Sequence, residues 1–155
     1  MDLDGKLAEI GKENKNIANE TVKVLRSNFK NNSFDRNEID TTCLKKVEKL
    51  NLYDALATLT SVITKIIFSR LAPHNPKTII LVGGGRKNKF LVRKLKEEFS
   101  CSVKLSEQVG WDGDSLEAQA FAYIAVRSLL GLNITYSQTT GVKNPISGGI
   151  LHNLN

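Results

Sequence analysis

The sequence predicts an α/β chain, rich in helix and built around a short parallel sheet. Three observations lead there. Thr78-Ile79-Ile80-Leu81-Val82 is a continuous run of strand-forming residues, the pattern of a strand covered on both faces. Three glycines, Gly83, Gly84 and Gly85, follow it directly. Helical spacing then begins at Lys89 and runs to Phe99, with Phe90, Leu91, Leu95 and Phe99 facing inward. A second short strand, Ser102 to Leu105, completes a β-α-β unit with a right-handed crossover.

The elements around this unit are read in chain order. Residues 1–32 are polar and mixed in charge, with loose helical spacing at Leu7, Ile10, Ile17, Val22 and Leu25. Two short helices with a break near Lys15–Asn19 are expected. Asn31 to Asn37 is rich in turn formers and reads as a loop. A short helix is expected over Thr41 to Lys49. Asn51, with Asp54 three residues on, is placed to cap a longer helix from Leu52 to Leu71. Its apolar stripe is Leu56, Leu59, Ile63, Ile66, Ile67 and Leu71; Pro73 stops it and Pro76 keeps the connection extended. Gln108 to Asp114 is a loop carrying the single tryptophan, Trp111. The last long helix, Ser115 to Leu130, is apolar on nearly all sides and is expected to be buried on nearly all sides. Gly131 is placed to end it, and the tail beyond reads as loop. No internal domain boundary is evident, so residues 1–155 are taken as a single, incomplete domain.

Composition narrows the function classes. The chain has 155 residues, enough for one domain with a core, and 41% hydrophobic and 25% charged residues, ordinary for a globular protein. No uninterrupted apolar run of membrane-spanning length is present, and the N-terminus lacks the pattern of a signal peptide. No membrane association and a cytoplasmic location are therefore expected. Cys43 and Cys101 lack metal-ligand spacing and read as reduced thiols. The net charge is +6, with basic residues at Arg86, Lys87, Lys89, Arg93, Lys94 and Lys96. No stacking aromatics or basic arm accompany them, so the cluster reads as a solvated helix face and not as a nucleic-acid interface.

Two stretches could carry chemistry. The first is the glycine turn. It matches neither the Gly-x-x-x-x-Gly-Lys-Ser/Thr phosphate loop nor Gly-x-Gly-x-x-Gly, since Asn88 stands at the third glycine position. Glycines between a strand and a helix still let a nucleotide approach the backbone, and the helix N–H groups seat an anion. The competing reading is a turn needed only for packing. The second is Asp112-Gly113-Asp114-Ser115-Leu116-Glu117-Ala118. Asp114 and Glu117 have reciprocal capping spacing. Alternatively, Glu117 is a lone acid on an apolar helix, able to hold a hydroxyl or a charged intermediate. Asp112 and Asp114 make a weak metal site by themselves, and His74 and His152 read as surface residues.

Taken together, several blocks resemble the C-terminal part of the anhydro-N-acetylmuramic acid kinase family. Asp2-Leu3-Asp4-Gly5 is similar to the family's Asp-x-Asp-Gly, and Ser33-Phe34-Asp35-Arg36-Asn37 to a segment that usually begins Pro-Pro-Lys-Ser, from which Asn31-Asn32 departs. Asp54-Ala55-Leu56-Ala57-Thr58-Leu59-Thr60 resembles Asp-x-x-Ala-Thr-Leu-Thr. Leu81-Val82-Gly83-Gly84-Gly85-x-x-Asn88 resembles the glycine motif, and Asp112 to Ala122 is the most specific block. Thr140-Gly141-Val142 and Gly148-Gly149-Ile150-Leu151 match the family's end.

The resemblance implies the C-terminal half of a ribonuclease H-like ATPase domain, as in sugar kinases, actin and Hsp70. It implies ATP and Mg²⁺ as cofactors, and phosphorylation of 1,6-anhydro-N-acetylmuramic acid with hydrolytic opening of the anhydro bridge. By resemblance Gly83, Gly84, Gly85 and Asn88 bind nucleotide. Asp112, Gly113 and Glu117 bind substrate, Glu117 as the contact nearest the chemistry. The family's Ser-Gly-Thr-Ser-x-Asp-Gly segment and its Asp-Thr-Gly-Pro-Gly-Asn, which holds the general base, have no counterpart in these residues. Loss of a positioned base costs about 10²–10⁴-fold. The expectation is a chain without useful activity alone, paired with a separately encoded N-terminal half or self-associated. A catalytically silent remnant or a nucleotide-binding module is the alternative.

Overall fold

The computed structural model describes residues 2, 4–28 and 36–152. They form two compact units, residues 1–110 and 111–155.

The first unit holds five helices and the sheet: α1 (Lys6–Ile10), α2 (Lys15–Asn28), α3 (Arg36–Val47), α4 (Leu52–Leu71), β1 (Thr78–Leu81), α5 (Lys89–Glu98) and β2 (Ser102–Leu105). Helix α4 is the hub, packing against α1, α2, α3 and α5. Its limits and cap are as the sequence predicts. The Asn51 side chain accepts from the Asp54 N–H at 3.0 Å and its amide donates to the Asp54 carboxylate at 2.8 Å. Length and composition alone would let Leu52–His74 span a bilayer, but here α4 is the core of a helical layer.

The face that α4 buries differs from the predicted stripe. Ala57, Thr58, Thr60, Ser61, Val62 and Thr64 are buried, while Ile63 is 47% exposed. Helices crowd α4 on several sides, and close approach favours small side chains. The threonines satisfy themselves: Thr58, Thr60 and Thr64 donate to the carbonyls of Asp54, Leu56 and Thr60, one turn back. The larger predicted residues line two flanking clusters. Leu59 and Ile66 join Ala18, Leu25, Cys43 and Val62 on the α2–α3 side. Ile67 and Leu71 join Leu95, Phe99 and Val103 on the sheet side.

The break between α1 and α2 falls at residues 11–14, ahead of its predicted place. A Cβ on Gly11 would lie 2.0 Å from the Tyr53 carbonyl oxygen, so only glycine lets the chain run this close to the start of α4. Asn14 then caps α2, accepting from the Ile17 N–H at 3.1 Å. Helix α3 begins earlier than predicted because Ile39 and Cys43 pack on the α2–α4 cluster, and tertiary burial outweighs the turn propensity of Arg36-Asn37. The rest of the predicted loop at 31–37 lies outside the described residues.

Strands β1 and β2 pair in parallel, Thr78 opposite Ser102 through Leu81 opposite Leu105, as the β-α-β reading requires. The expectation of a β1 covered on both faces is corrected. None of its four residues is buried, because the sheet has two strands among the described residues and its packing comes from α4 and α5.

The second unit holds α6 (Leu116–Leu129) and a four-residue helix, α7 (Ser137–Thr140), where the sequence predicted loop. Tyr136 and Thr139 bond each other's backbone groups and Gly141, at φ 70°, closes that turn. Gly131, at φ 66°, ends α6 as predicted, with the Leu132 N–H donating to the Arg127 carbonyl at 2.9 Å. The expected burial of α6 is overturned. None of its residues is buried; Phe121, Tyr123, Val126 and Leu129 are all more than half exposed. An all-round apolar helix is buried only where elements exist to surround it, and α6 is met here by Ile134 and Gly148–Leu151 on one side and by Asn133 and Tyr136 at Arg127.

Candidate functional site

The glycine turn sits at the carboxyl end of β1, where parallel strands commonly present ligands. Gly83 has φ 68° and ψ −170°, a conformation essentially restricted to glycine. Gly84 and Gly85 are different. Neither has a positive φ. A Cβ on Gly84 would meet nothing within 4 Å, and one on Gly85 only Leu91 Cδ2 at 4.0 Å. Backbone conformation thus accounts for one glycine of the three, and internal packing for none. Residues Gly84–Lys87 make a single 3₁₀ turn. Asn88 then caps α5, its side-chain oxygen accepting from the Leu91 N–H at 2.9 Å.

Asn88 is itself held from behind. Gly5, at φ 81°, passes so close that a Cβ there would lie 2.1 Å from Asn88 Oδ1 and 2.6 Å from Phe90 Cβ. The Lys89 N–H donates to the Asp4 carbonyl at 3.0 Å. The Asp2 carboxylate accepts from the Leu7 and Ala8 N–H groups and so caps α1. The Asp-x-Asp-Gly stretch therefore buttresses the glycine turn.

Arg86 is the residue that sequence reasoning misplaced. Its charge and position place it on the solvated basic face, yet its side chain is 5% exposed. Its Nε donates to Glu107 Oε1 at 2.7 Å and its Nη1 to the Gly83 carbonyl at 2.8 Å. Glu107 follows β2. Its own backbone N–H, then the Arg86 guanidinium, hold its carboxyl below the ordinary carboxylate range. Opposite charges just past the ends of two adjacent parallel strands were the signal available. The remaining basic residues of α5 behave as predicted: Arg93 pairs with Glu9 and Glu97, and Lys94 with Glu97 at 2.8 Å.

The second candidate stretch belongs to the second unit. Asp112 is exposed, Gly113 buried and Glu117 exposed on the first turn of α6. The helix cap falls on Ser115, not Asp114, and makes no side-chain cap bond. Asp112 takes over that part of the turn. Its carboxylate accepts from the Asp114 N–H at 3.1 Å, and its carbonyl from the Ser115 N–H and hydroxyl. The Asp114 N–H is also the leading cause that draws the Asp112 carboxyl below its ordinary range. Gly83, Gly84, Gly85 and Asn88 are thus one contiguous group in the first unit, and Asp112, Gly113 and Glu117 another in the second. Among the described residues no three His, Cys, Asp or Glu side chains are grouped to hold a metal ion.

Comparison with known proteins gives the family. The family profile described as anhydro-N-acetylmuramic acid kinase matches residues 26–153. The chain belongs to the anhydro-N-acetylmuramic acid kinase family. A family member from Roseobacter denitrificans is 43% identical over 119 residues, 76% of this chain and 31% of the relative. One from Paramagnetospirillum magneticum is 36% identical over 155 residues, 98% of this chain and 44% of the relative. One from Caulobacter vibrioides is 36% identical across 96% of this chain and 40% of its own length. The chain therefore spans between about a third and under half of the relatives it matches and corresponds to a C-terminal portion of them.

Within this anhydro-N-acetylmuramic acid kinase portion, the Asp54–Thr60 block has a structural explanation. Asp54 Oδ1 accepts from the Lys12 N–H at 2.6 Å, and Thr58 Oγ1 from the Asn14 N–H at 3.0 Å. Both side chains hold the α1–α2 connection onto α4.

Proposed function

We propose that this chain forms one wall of the nucleotide cleft of an anhydro-N-acetylmuramic acid kinase. The complete enzyme would phosphorylate the 6-oxygen of 1,6-anhydro-N-acetylmuramic acid and open the anhydro bridge with water, in cytoplasmic recycling of cell-wall sugar. The observation that carries the reading is the pair Gly84 and Gly85. They are glycines that neither their dihedral angles nor their neighbours require. Glycine there keeps the strand end open to a group from outside, as a bound nucleotide needs.

In this reading the backbone of Gly83, Gly84 and Gly85 borders the nucleotide. Asn88 fixes the start of α5 so that its N–H groups face the phosphate side. Asp112 and Gly113 border the sugar, and Glu117 accepts a hydrogen bond from one of its hydroxyls. ATP, when bound, supplies the phosphoryl group. A Mg²⁺ accompanying it would take phosphate oxygens and water among its ligands. Phosphoryl transfer needs positioning from several elements at once. The family's base and phosphate segment have no match in this sequence, so the chain is expected to be silent alone. The exposed apolar surface of α6 supports an N-terminal half as its partner, with self-association as the competing outcome.

The test mixes the purified chain with the N-terminal part of the Paramagnetospirillum magneticum relative that it does not match, plus ATP, Mg²⁺ and the anhydro sugar. Phosphorylated sugar from the mixture and none from either piece supports the reading. Product from the chain alone would overturn the division of labour. Calorimetric titration with ATP that detects no binding, together with no product from the mixture, would leave a silent remnant.

A further inference from the structure

The glycine turn is bordered by a network that no motif anticipates. It begins at the Gly83 carbonyl, which accepts twice from one residue, at 3.3 Å from the Arg86 N–H and 2.8 Å from Arg86 Nη1. The guanidinium continues to Glu107 Oε1 at 2.7 Å. The other carboxylate oxygen accepts from the fully buried Ser106 hydroxyl at 3.2 Å. Two turns are joined in this way: residues 83–87 after β1 and residues 106–109 after β2.

We propose that Arg86 is a positioning residue, a latch that fixes the Gly83–Gly85 turn in its open shape by tying it to the end of the neighbouring strand. The role rests on the nucleotide reading of that turn and adds to it. A triple glycine has the greatest backbone freedom in the chain, and a preformed seat requires that freedom to be removed before a ligand arrives. The guanidinium suits the task. Its planar fork donates to two acceptors fixed by different elements, and its buried charge is matched by the half-exposed carboxylate of Glu107. Arg86 is therefore engaged with the protein's own turn. Lysine at this position would keep the charge but lose the fork.

The experiment measures amide hydrogen exchange residue by residue, with ATP titrations alongside, on the full chain and on Glu107→Gln, Arg86→Lys and the double variant. Glu107→Gln is the key variant, because Glu107 is half exposed and the change keeps its shape. The latch predicts that Glu107→Gln and Arg86→Lys each speed exchange at the hydrogen-bonded amides of the turn, those of residues 86 and 88, about tenfold, the range for losing one charged hydrogen bond. The double variant should add little, since both act on one network. Amides of α4 should be unaffected. ATP affinity should fall about threefold to tenfold in step with the local exchange. Unchanged exchange at residues 86 and 88 in Glu107→Gln would overturn the latch. So would faster exchange with unaltered ATP affinity in a chain that binds ATP. An unsubstituted chain that binds no ATP, with no product from the mixture of the two parts, would sink the nucleotide reading alone, and the exchange pattern would still decide the latch.

Discussion

Helices α4 and α6 look alike as sequences and end differently as structures. Both are apolar around most of their circumference and interleave large residues with Ala, Ser or Thr. In α4 six residues are buried, all of them small or β-branched. In α6 none is buried. The difference lies in the neighbours. Helix α4 has α1, α2, α3 and α5 around it, whereas the unit holding α6 offers one short helix and a tail. Hydrophobic composition states that a helix gains from being covered. It does not supply the cover.

The comparison breaks most visibly where α4 is approached by backbone. Gly11→Ala would drive a methyl into the Tyr53 carbonyl, and overpacking of this kind should cost about 3 kcal/mol. Urea denaturation would register it; a loss below about 1 kcal/mol would mean that the α1–α4 contact yields easily. Next comes the paired test of the two helices. Val62→Ala in α4 should cost about 2 kcal/mol through the cavity it leaves. Leu129→Ala in α6 should stay within about 0.5 kcal/mol in the chain by itself. Equal losses would erase the contrast. A Leu129→Ala penalty that emerges only with an N-terminal half present would sharpen it.

Smaller effects probe the ends of α4. Asn51→Ala removes the cap bond to the Asp54 N–H and should lower the stability of the first unit by about 1 kcal/mol. Thermal melts would show it, and Asn51→Asp should restore most of the loss. Acid should act on the same unit more weakly. Partial burial raises the Glu13 carboxyl, but bonds from the Ser61 hydroxyl and the Lys65 ammonium outweigh it and hold it below its ordinary range. A carboxyl lowered on folding stabilises the fold above its unfolded value. That contribution is lost as pH falls through the folded value. Stability should thus decline across the acidic carboxylate range, and Glu13→Gln should flatten the decline. An identical pH profile in the variant would mean that Glu13 adds nothing.

The candidate site was legible in part. Gly83, Gly84, Gly85 and Asn88 stood out because strand, turn and cap are local patterns, and the cap formed as read. Asp112 and Glu117 stood out by residue type, but the cap read at Asp114 falls one residue later, on Ser115, whose N–H and hydroxyl both donate to the Asp112 carbonyl. Arg86 was missed. Its burial depends on Glu107, which is near it only once β1 and β2 pair.

The amino-acid order by itself determined the limits of α4, the caps at Asn51 and Asn88, both strands, the stop at Gly131 and the kinase family. Each of these is written within a few residues, through hydrogen bonds and dihedral preferences that reach about one helical turn. Tertiary structure alone decided which face of α4 is covered, that Arg86 turns inward, that β1 stays half open and that α6 lies bare. Those outcomes depend on what arrives from elsewhere in the chain, since burial is a property of neighbours and not of the residue that is buried.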